Sequence, residues 1–211
     1  MKTFRRRYYD FFSNFYDKII ALHSKDKSAR LRRFLLAKSG FRPGQYLLDV
    51  CTGTGAVALE AASLAKGQGC VTAVDFSHGM LSRARAKASS RGLQVHFALA
   101  DVSMLPFKDE VFHVVTCSHA MYELKAQVRT KALGEFRRVL KRGGIFIMME
   151  HSAPESPFIK FLYNLRIMTM GSWENRRFAL DERGELSRFF ENVRLEPTLS
   201  GRSKVVYGFK A

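Results

Sequence analysis

Acidic residues are scarce in this chain. Its 211 residues hold 19 Asp and Glu against 35 Lys and Arg, a formal net charge of +16. That balance disfavours a cationic macromolecular partner and attracts anionic surfaces. Cysteine is nearly absent too. Cys51, Cys70 and Cys117 are odd in number and lack Cys-x-x-Cys spacing, which argues against a disulfide framework and a zinc site. They read as reduced core thiols of a cytoplasmic protein, and no metal is expected. No apolar run is long enough to cross a bilayer. No apolar stretch follows Arg5-Arg6-Arg7, so no secretory leader is expected. Internal repeats and low-complexity linkers are missing as well. A hydrophobic content of 46% over this length suits a single domain with a full core.

The strongest positive signal is Leu47-Leu48-Asp49-Val50-Cys51-Thr52-Gly53-Thr54-Gly55. Tyr46 to Val50 read as a buried parallel strand and Ala56 to Lys66 as the helix after it. Gly53 and Gly55 let the backbone turn sharply and leave room for a ligand against it. The turn aims the free N–H groups of the helix at whatever lies above. A second acidic strand end, Asp75 in Val71-Thr72-Ala73-Val74-Asp75, follows about twenty residues on, the interval at which a βαβ unit sets a carboxylate on a ribose diol. The dinucleotide fingerprint needs a third glycine at the helix start, and here Ala56-Val57-Ala58 stand instead. Asp49 before the turn would repel a pyrophosphate but suits an ammonium. The electrostatics therefore favour S-adenosyl-L-methionine, a cation with an amino-acid tail, over NAD.

These motifs resemble those of the class I S-adenosylmethionine-dependent methyltransferases, and most nearly the ubiquinone/menaquinone C-methyltransferases of the UbiE/MenG type. The matching segments are Leu48 to Gly55, Val74-Asp75-Phe76-Ser77 with Met80-Leu81, Ala100-Asp101 with Leu105-Pro106-Phe107, and Arg138-Val139-Leu140-Lys141 with Gly143-Gly144. They run in order through residues 46–152. As a set they are specific for fold and cofactor and much less so for the acceptor.

The hydropathy pattern places strands near 46–50, 70–75, 94–99, 111–116 and 144–149, with helices near 26–38, 56–66, 78–90 and 126–140. Such alternation implies a parallel sheet covered on both faces. The helix at 126–140 should turn Leu133, Phe136, Val139 and Leu140 inward and Arg129, Arg137 and Arg138 outward. Strands near 193–199 and 203–210 meet at Ser200-Gly201 and form a hairpin. The resemblance implies an α/β, Rossmann-like, seven-stranded and mostly parallel sheet, with an antiparallel last strand and an N-terminal helical extension. Residues 1–42 would form that extension, 43–152 the cofactor core, and 153–211 the acceptor cap and hairpin.

Ligands of open α/β sheets bind at strand C-terminal ends. Asp49, Gly53 and Thr54 are expected around the methionine end, with Gly55 opening the helix and Asp75 on the ribose hydroxyls. Phe76 and Met80 would form an apolar slot for the adenine. By resemblance, Asp101 takes the adenine amino group beside the Val102 N–H, and Ser118 lies near the methionine end.

The acceptor side departs from the family. Where quinone C-methyltransferases read Ser-Phe-Gly-Leu/Ile-Arg-Asn after the fourth strand, this chain reads Ser118-His119-Ala120-Met121-Tyr122-Glu123. The role of the Arg-Asn pair cannot be carried over. His119, Tyr122 and Glu123 stand where the acceptor should approach, with His119 a candidate base, and His151 after the fifth strand is a second. The Tyr16-Asp17 pair resembles one that precedes the core in quinone methyltransferases, which would put Tyr16 near the cofactor.

Two segments bear on the acceptor. Phe4, Tyr8, Phe11, Phe12, Phe15, Tyr16, Ile19 and Leu22 fall on one helical stripe, within a region of twelve basic and three acidic residues up to Arg42. Such a helix suits either a lid over the cofactor or an anchor on an anionic membrane surface. Pro157 to Gly171 is apolar on nearly every side and should roof a greasy pocket or touch lipid, with plain core packing as the alternative. The expected activity is methyl transfer to a lipophilic small molecule, first a demethylated quinone and next a phospholipid amine headgroup. RNA is disfavoured because no Asn-Pro-Pro-Tyr follows the fourth strand and no RNA-binding module is evident. A cofactor-binding subunit without chemistry is the non-enzyme alternative.

Overall fold

The computed structural model describes residues 29–152, 178, 181–198 and 201–211. The aromatic helix expected over 4–22, Tyr16 within it, and the apolar segment from Pro157 to Gly171 lie outside the described residues.

The strands are β1 (Tyr46–Val50), β2 (Cys70–Asp75), β3 (His96–Leu99), β4 (Phe112–Ser118), β5 (Leu140–His151), β6 (Glu191–Pro197) and β7 (Ser203–Phe209). They form one seven-stranded sheet in the order β3-β2-β1-β4-β5-β7-β6. The pairs from β3 through β5 are parallel, and β7 runs antiparallel to both of its neighbours. This is the mostly parallel sheet with a reversed last strand that the sequence pattern implies. The helices are α1 (Arg30–Ser39), α2 (Ala56–Ala65), α3 (His78–Ser90), α4 (Ala126–Val139) and α5 (Glu182–Ser187).

The central strands are near-continuous apolar runs because both faces are covered. One face buries Leu48, Val50, Val115, Phe146 and Met148 against Leu133, Phe136 and Val139 of α4. The other buries Leu47, Val71, Val114, Ile145 and Ile147 against α1 and α2 through Leu35, Leu36, Val57, Ala58 and Ala61. Side chains alternate across the sheet, so consecutive residues such as Leu47 and Leu48 serve opposite cores.

Two local expectations need correction. Leu140 is the C-cap of α4, its N–H on the Phe136 carbonyl, rather than a residue of the helix. It opens β5, which starts earlier than the hydropathy suggested, pairing with Phe112 before an irregularity shifts the ladder to Val114 and Ile145. Gly143 lies in that stretch at φ 71°, Lys210 Nζ donates to the Leu140 carbonyl at 2.7 Å, and the last helical carbonyls of Arg138 and Val139 accept from Glu110 N–H at 3.1 Å and Val111 N–H at 2.9 Å. Arg129 does not face solvent either. It is buried because its guanidinium donates to the Leu124 carbonyl at 3.0 Å and lies 4.1 Å from the centroid of the Phe178 ring.

Candidate active site

The turn after β1 carries three residues in the left-handed region, Cys51 at φ 51°, Gly53 at 54° and Gly55 at 84°. A Cβ on Gly55 would lie 3.0 Å from Cβ of Ala84 on α3, so the glycine permits both the turn and the approach of the two helices. The Gly53 N–H donates to Oδ2 of Asp75 at 2.9 Å, and Ser77 N–H donates to Oδ1 of the same carboxylate at 2.9 Å. Thr52 N–H bonds the Val74 carbonyl at 3.0 Å. Ser77 in turn caps α3, its Oγ accepting from Met80 N–H at 3.2 Å. The ends of β1 and β2 are therefore one hydrogen-bonded unit with Asp75 at its centre.

Asp49 is 1% exposed beneath this turn. Its two oxygens accept from the hydroxyls of Thr52 at 2.5 Å and Thr116 at 2.7 Å. Burial raises its pKa to about 6, and the threonine hydroxyls oppose the rise. Thr54 is buried as well, so of the residues expected at the methionine end, Asp49 and Thr54 lie under the turn while the Gly53 backbone forms it.

On the adenine side, Phe76 is half-exposed at 37% whereas Met80 is 2% exposed and part of the core beneath. Asp101 follows β3. Its Oδ1 accepts from Ser103 N–H at 2.9 Å and Ser103 Oγ at 2.7 Å, while Met104 N–H returns to its carbonyl at 3.0 Å. It thus caps the turn that carries the buried Val102. A pair from α4 holds the loop beyond. Glu135 accepts from Leu105 N–H at 2.7 Å, and Arg138 donates to the carbonyls of Leu105 at 3.1 Å and Phe107 at 2.8 Å and to Asp109 at 2.7 Å. The sequence places Arg138 in a family motif and on the outward side of its helix, but does not reveal this clamp. Its (i, i+3) spacing from Glu135 was the available signal.

The acceptor candidates gather at the ends of β4 and β5. Ser118 closes β4. His119 follows at φ 55°, held by its N–H on the Met149 carbonyl at 2.8 Å. That left-handed residue turns its ring onto His151, with centroids 4.1 Å apart and planes at 24°. Burial, with the nearby His151 and Arg32, lowers the His119 pKa to about 3, so it stays neutral at physiological pH. Tyr122 lies in a single 3-10 turn, Met121–Glu123, its ring edge-on to Phe178 at 5.7 Å.

Two buried carboxyl groups here, Glu150 and Glu182, and the partly buried Lys204 were not singled out from sequence. Glu150 is 2% exposed, accepts from Met121 N–H at 2.9 Å, and is pushed by burial up to about 8. Its place at a strand end, like Asp49 and Asp75, was the legible signal. Glu182 on α5 pairs with Lys204 on β7 at 2.7 Å. Nothing local in the sequence announces that pair, because it arises where β7 comes back beside β5.

A mostly parallel sheet with a reversed last strand, whose first turn is clasped by the acid that ends β2, is the fold of the class I S-adenosylmethionine-dependent methyltransferases. Residues 5–180 match the ubiE/COQ5 methyltransferase family, and the chain belongs to that family. It is 38% identical over 158 residues to a demethylmenaquinone methyltransferase of Symbiobacterium thermophilum, covering 74% of this chain and 62% of that protein. It is 35% identical over 151 residues to a ubiquinone/menaquinone biosynthesis C-methyltransferase UbiE of a Geobacter species, covering 71% and 63%. The chain thus spans about three fifths of the length of these two relatives. Among solved structures, the Haemonchus contortus phosphoethanolamine N-methyltransferase 2 in complex with S-adenosyl-L-methionine has the same fold. Its TM-score is 0.64 at 18% identity, over 85% of this chain and 52% of that one.

Proposed function

We propose that this protein transfers the methyl group of S-adenosyl-L-methionine to a lipophilic aromatic acceptor, a demethylated quinol of the menaquinone/ubiquinone type. The observation that carries the methyl-transfer reading is the Asp75 clasp on Gly53 and Ser77 above a buried, ionisable Asp49. These residues fit the cofactor by their chemistry, because carboxylates rather than basic groups stand at the strand ends where a sulfonium and an ammonium need negative field. Asp75 would hold the ribose, Asp101 and the Val102 N–H the adenine amino group beside Phe76 and Met80. Gly53, Thr54, Gly55 and Ser118 would shape the methionine end. Asp49 would act on it through its charge, relayed by Thr52.

When bound, S-adenosylmethionine supplies an electrophilic methyl on sulfur. The chain's part is to align the acceptor for in-line attack and to manage its proton. His119, neutral and stacked on His151, is suited to fixing the acceptor more than to taking a proton, since a group with a pKa of about 3 is a weak base at neutral pH. Tyr122 would flank the acceptor, and Tyr16 of the N-terminal segment, by the family resemblance, would stand near the cofactor. We assign the basic, aromatic stripe over 4–22 to an anionic membrane surface, where a lipophilic acceptor resides, which makes the protein peripheral at the inner membrane face. No helix among the described residues is long and apolar enough to cross a membrane.

The test is transfer of labelled methyl into a host membrane-lipid extract, with the product identified by mass. Label in a quinone supports the reading. Label in a phospholipid, in RNA or in a soluble metabolite replaces the acceptor, and no label in any fraction replaces the activity with cofactor binding alone.

A further inference from the structure

Among the described residues, two polar atoms on one side of this edge are buried with no hydrogen-bond partner, the hydroxyl of Tyr122 and Oε1 of Glu182. Both belong to one small cluster. Glu182 is 2% exposed and its other oxygen takes Nζ of Lys204 at 2.7 Å. That Nζ lies 6.0 Å from the centroid of the Tyr122 ring. Phe178 packs edge-on to Tyr122 and carries the Arg129 guanidinium on its own ring, which makes a wall of aromatic and cationic character. Lys204 stands opposite Glu150 in the β5–β7 register, and Ser203 opposite His151, so the cluster sits at the same strand ends as the stacked histidines.

Buried polar atoms are almost always paired, and two orphans in one cluster mark a place made for a ligand group. Their chemistry is complementary. An ionised carboxylate oxygen only accepts, whereas a phenolic hydroxyl can donate. A carbonyl would satisfy Tyr122 and leave Glu182 orphaned, and an ammonium would do the reverse. A hydroxyl donates to one and accepts from the other.

We propose that Glu182 Oε1 and the Tyr122 hydroxyl form the subsite for a ring hydroxyl of the aromatic acceptor, with Lys204 as the residue that positions and keeps charged the Glu182 carboxylate. This assignment rests on the reading that the acceptor is aromatic. Glu182 accepts the ring O–H and so enriches the adjacent ring carbon in electron density, while Tyr122 donates to the same oxygen. The subsite thereby prefers a hydroxylated ring to its oxidised or etherified form. Burial raises the Glu182 pKa, and the hydrogen bond and charge of Lys204 oppose that rise.

The experiment is calorimetric binding of 1-naphthol and of 1-methoxynaphthalene to the full chain held with S-adenosylhomocysteine. Wild type is expected to prefer the naphthol by at least tenfold, because a site built for a hydroxyl rejects the analogue lacking it. Glu182→Leu combined with Lys204→Met replaces the ion pair by apolar side chains of similar size, and should reduce the preference below about threefold with S-adenosylhomocysteine affinity unchanged. Tyr122→Phe, which removes one unpartnered atom and so spares folding, should reduce it several-fold on its own. No preference in wild type, or an undiminished preference in both variants, overturns the subsite. Transfer to a demethylquinol without any hydroxyl preference removes this subsite and leaves the acceptor reading standing. A preference lost in the variants, with no transfer to a demethylquinol, keeps the subsite and removes the quinol.

Discussion

The Gly53 amide donates to Oδ2 of Asp75 across 2.9 Å, joining two residues 22 positions apart. Because Oδ1 is held by Ser77 N–H, the carboxylate is fixed in orientation before any ligand arrives. It stabilises the turn at the strand end to which the proposed function assigns the ribose diol.

Asp75→Ala therefore has two consequences. The Gly53 and Ser77 amides lose charge-assisted partners, which should cost about 2–3 kcal/mol of stability. S-adenosylmethionine affinity should fall at least tenfold. Urea unfolding and titration calorimetry measure the two separately, and an unchanged dissociation constant would remove Asp75 from the cofactor site.

Asp49 predicts how binding depends on pH. Burial raises its pKa from 3.8 to about 6 in the folded chain, so it holds a proton at pH values where an exposed aspartate has lost one. A cationic ligand above it favours the ionised form. Below pH 6 binding must expel that proton, and the apparent affinity should drop about tenfold by pH 5 relative to pH 7.5. Thr116→Val removes one hydroxyl from the carboxylate and should shift the threshold to higher pH. Asp49→Asn should bind weakly at every pH, with the dependence gone. A flat wild-type profile from pH 5 to 8 would contradict the field assigned to Asp49.

The residues proposed for the cofactor half were legible as a group because each sits at a fixed offset within one βαβ unit. Asp49, Gly53, Gly55 and Asp75 are set by local strand-turn-helix geometry, and β1 and β2 appear with their expected bounds. The acceptor half is different. His119 and His151 come from separate strands, and only the β4–β5 register makes them stack. Arg129 read as a solvent-facing helix residue since its burial depends on Phe178, distant in sequence. Glu182 and Lys204 meet because the last strand runs antiparallel, a property of the whole sheet. Periodicity reports which face of an element is buried, but it does not report which two elements share a pocket.

The clamp made by Glu135 and Arg138 predicts a variant that acts at a distance. Arg138 holds two carbonyls and Asp109, and Glu135 holds the Leu105 amide, so together they fix the loop that follows Asp101 and Val102. Arg138→Ala should cost about 2 kcal/mol, moderated by its partial exposure, through the carbonyls left without donors. Cofactor affinity should fall a few-fold although Arg138 is outside the cofactor site. Arg138→Lys, which keeps the charge but not the fork, should recover little of either. Full recovery by lysine would mean that charge, rather than the set of hydrogen bonds, holds the loop.

Glu150 gives the sharpest statement about stability. Its carboxyl is buried, and its pKa rises from 4.5 to about 8 because burial penalises the charge, with Glu123 adding repulsion and Lys204 opposing it. The folded chain keeps this proton while the unfolded chain releases it. Stability should therefore decline as pH rises from about 4.5 to 8, by an amount on the order of a few kcal/mol, and level off above. Glu150→Gln keeps an oxygen for the Met121 amide and carries no charge at any pH. It should match wild type near pH 4.5 and exceed it at pH 8.5 in urea unfolding. If the two proteins instead lose stability in parallel, Glu150 is already ionised in the fold, paired with the Lys204 ammonium opposite it on β7, and Lys204 would then be shared between Glu150 and Glu182 rather than committed to the acceptor subsite.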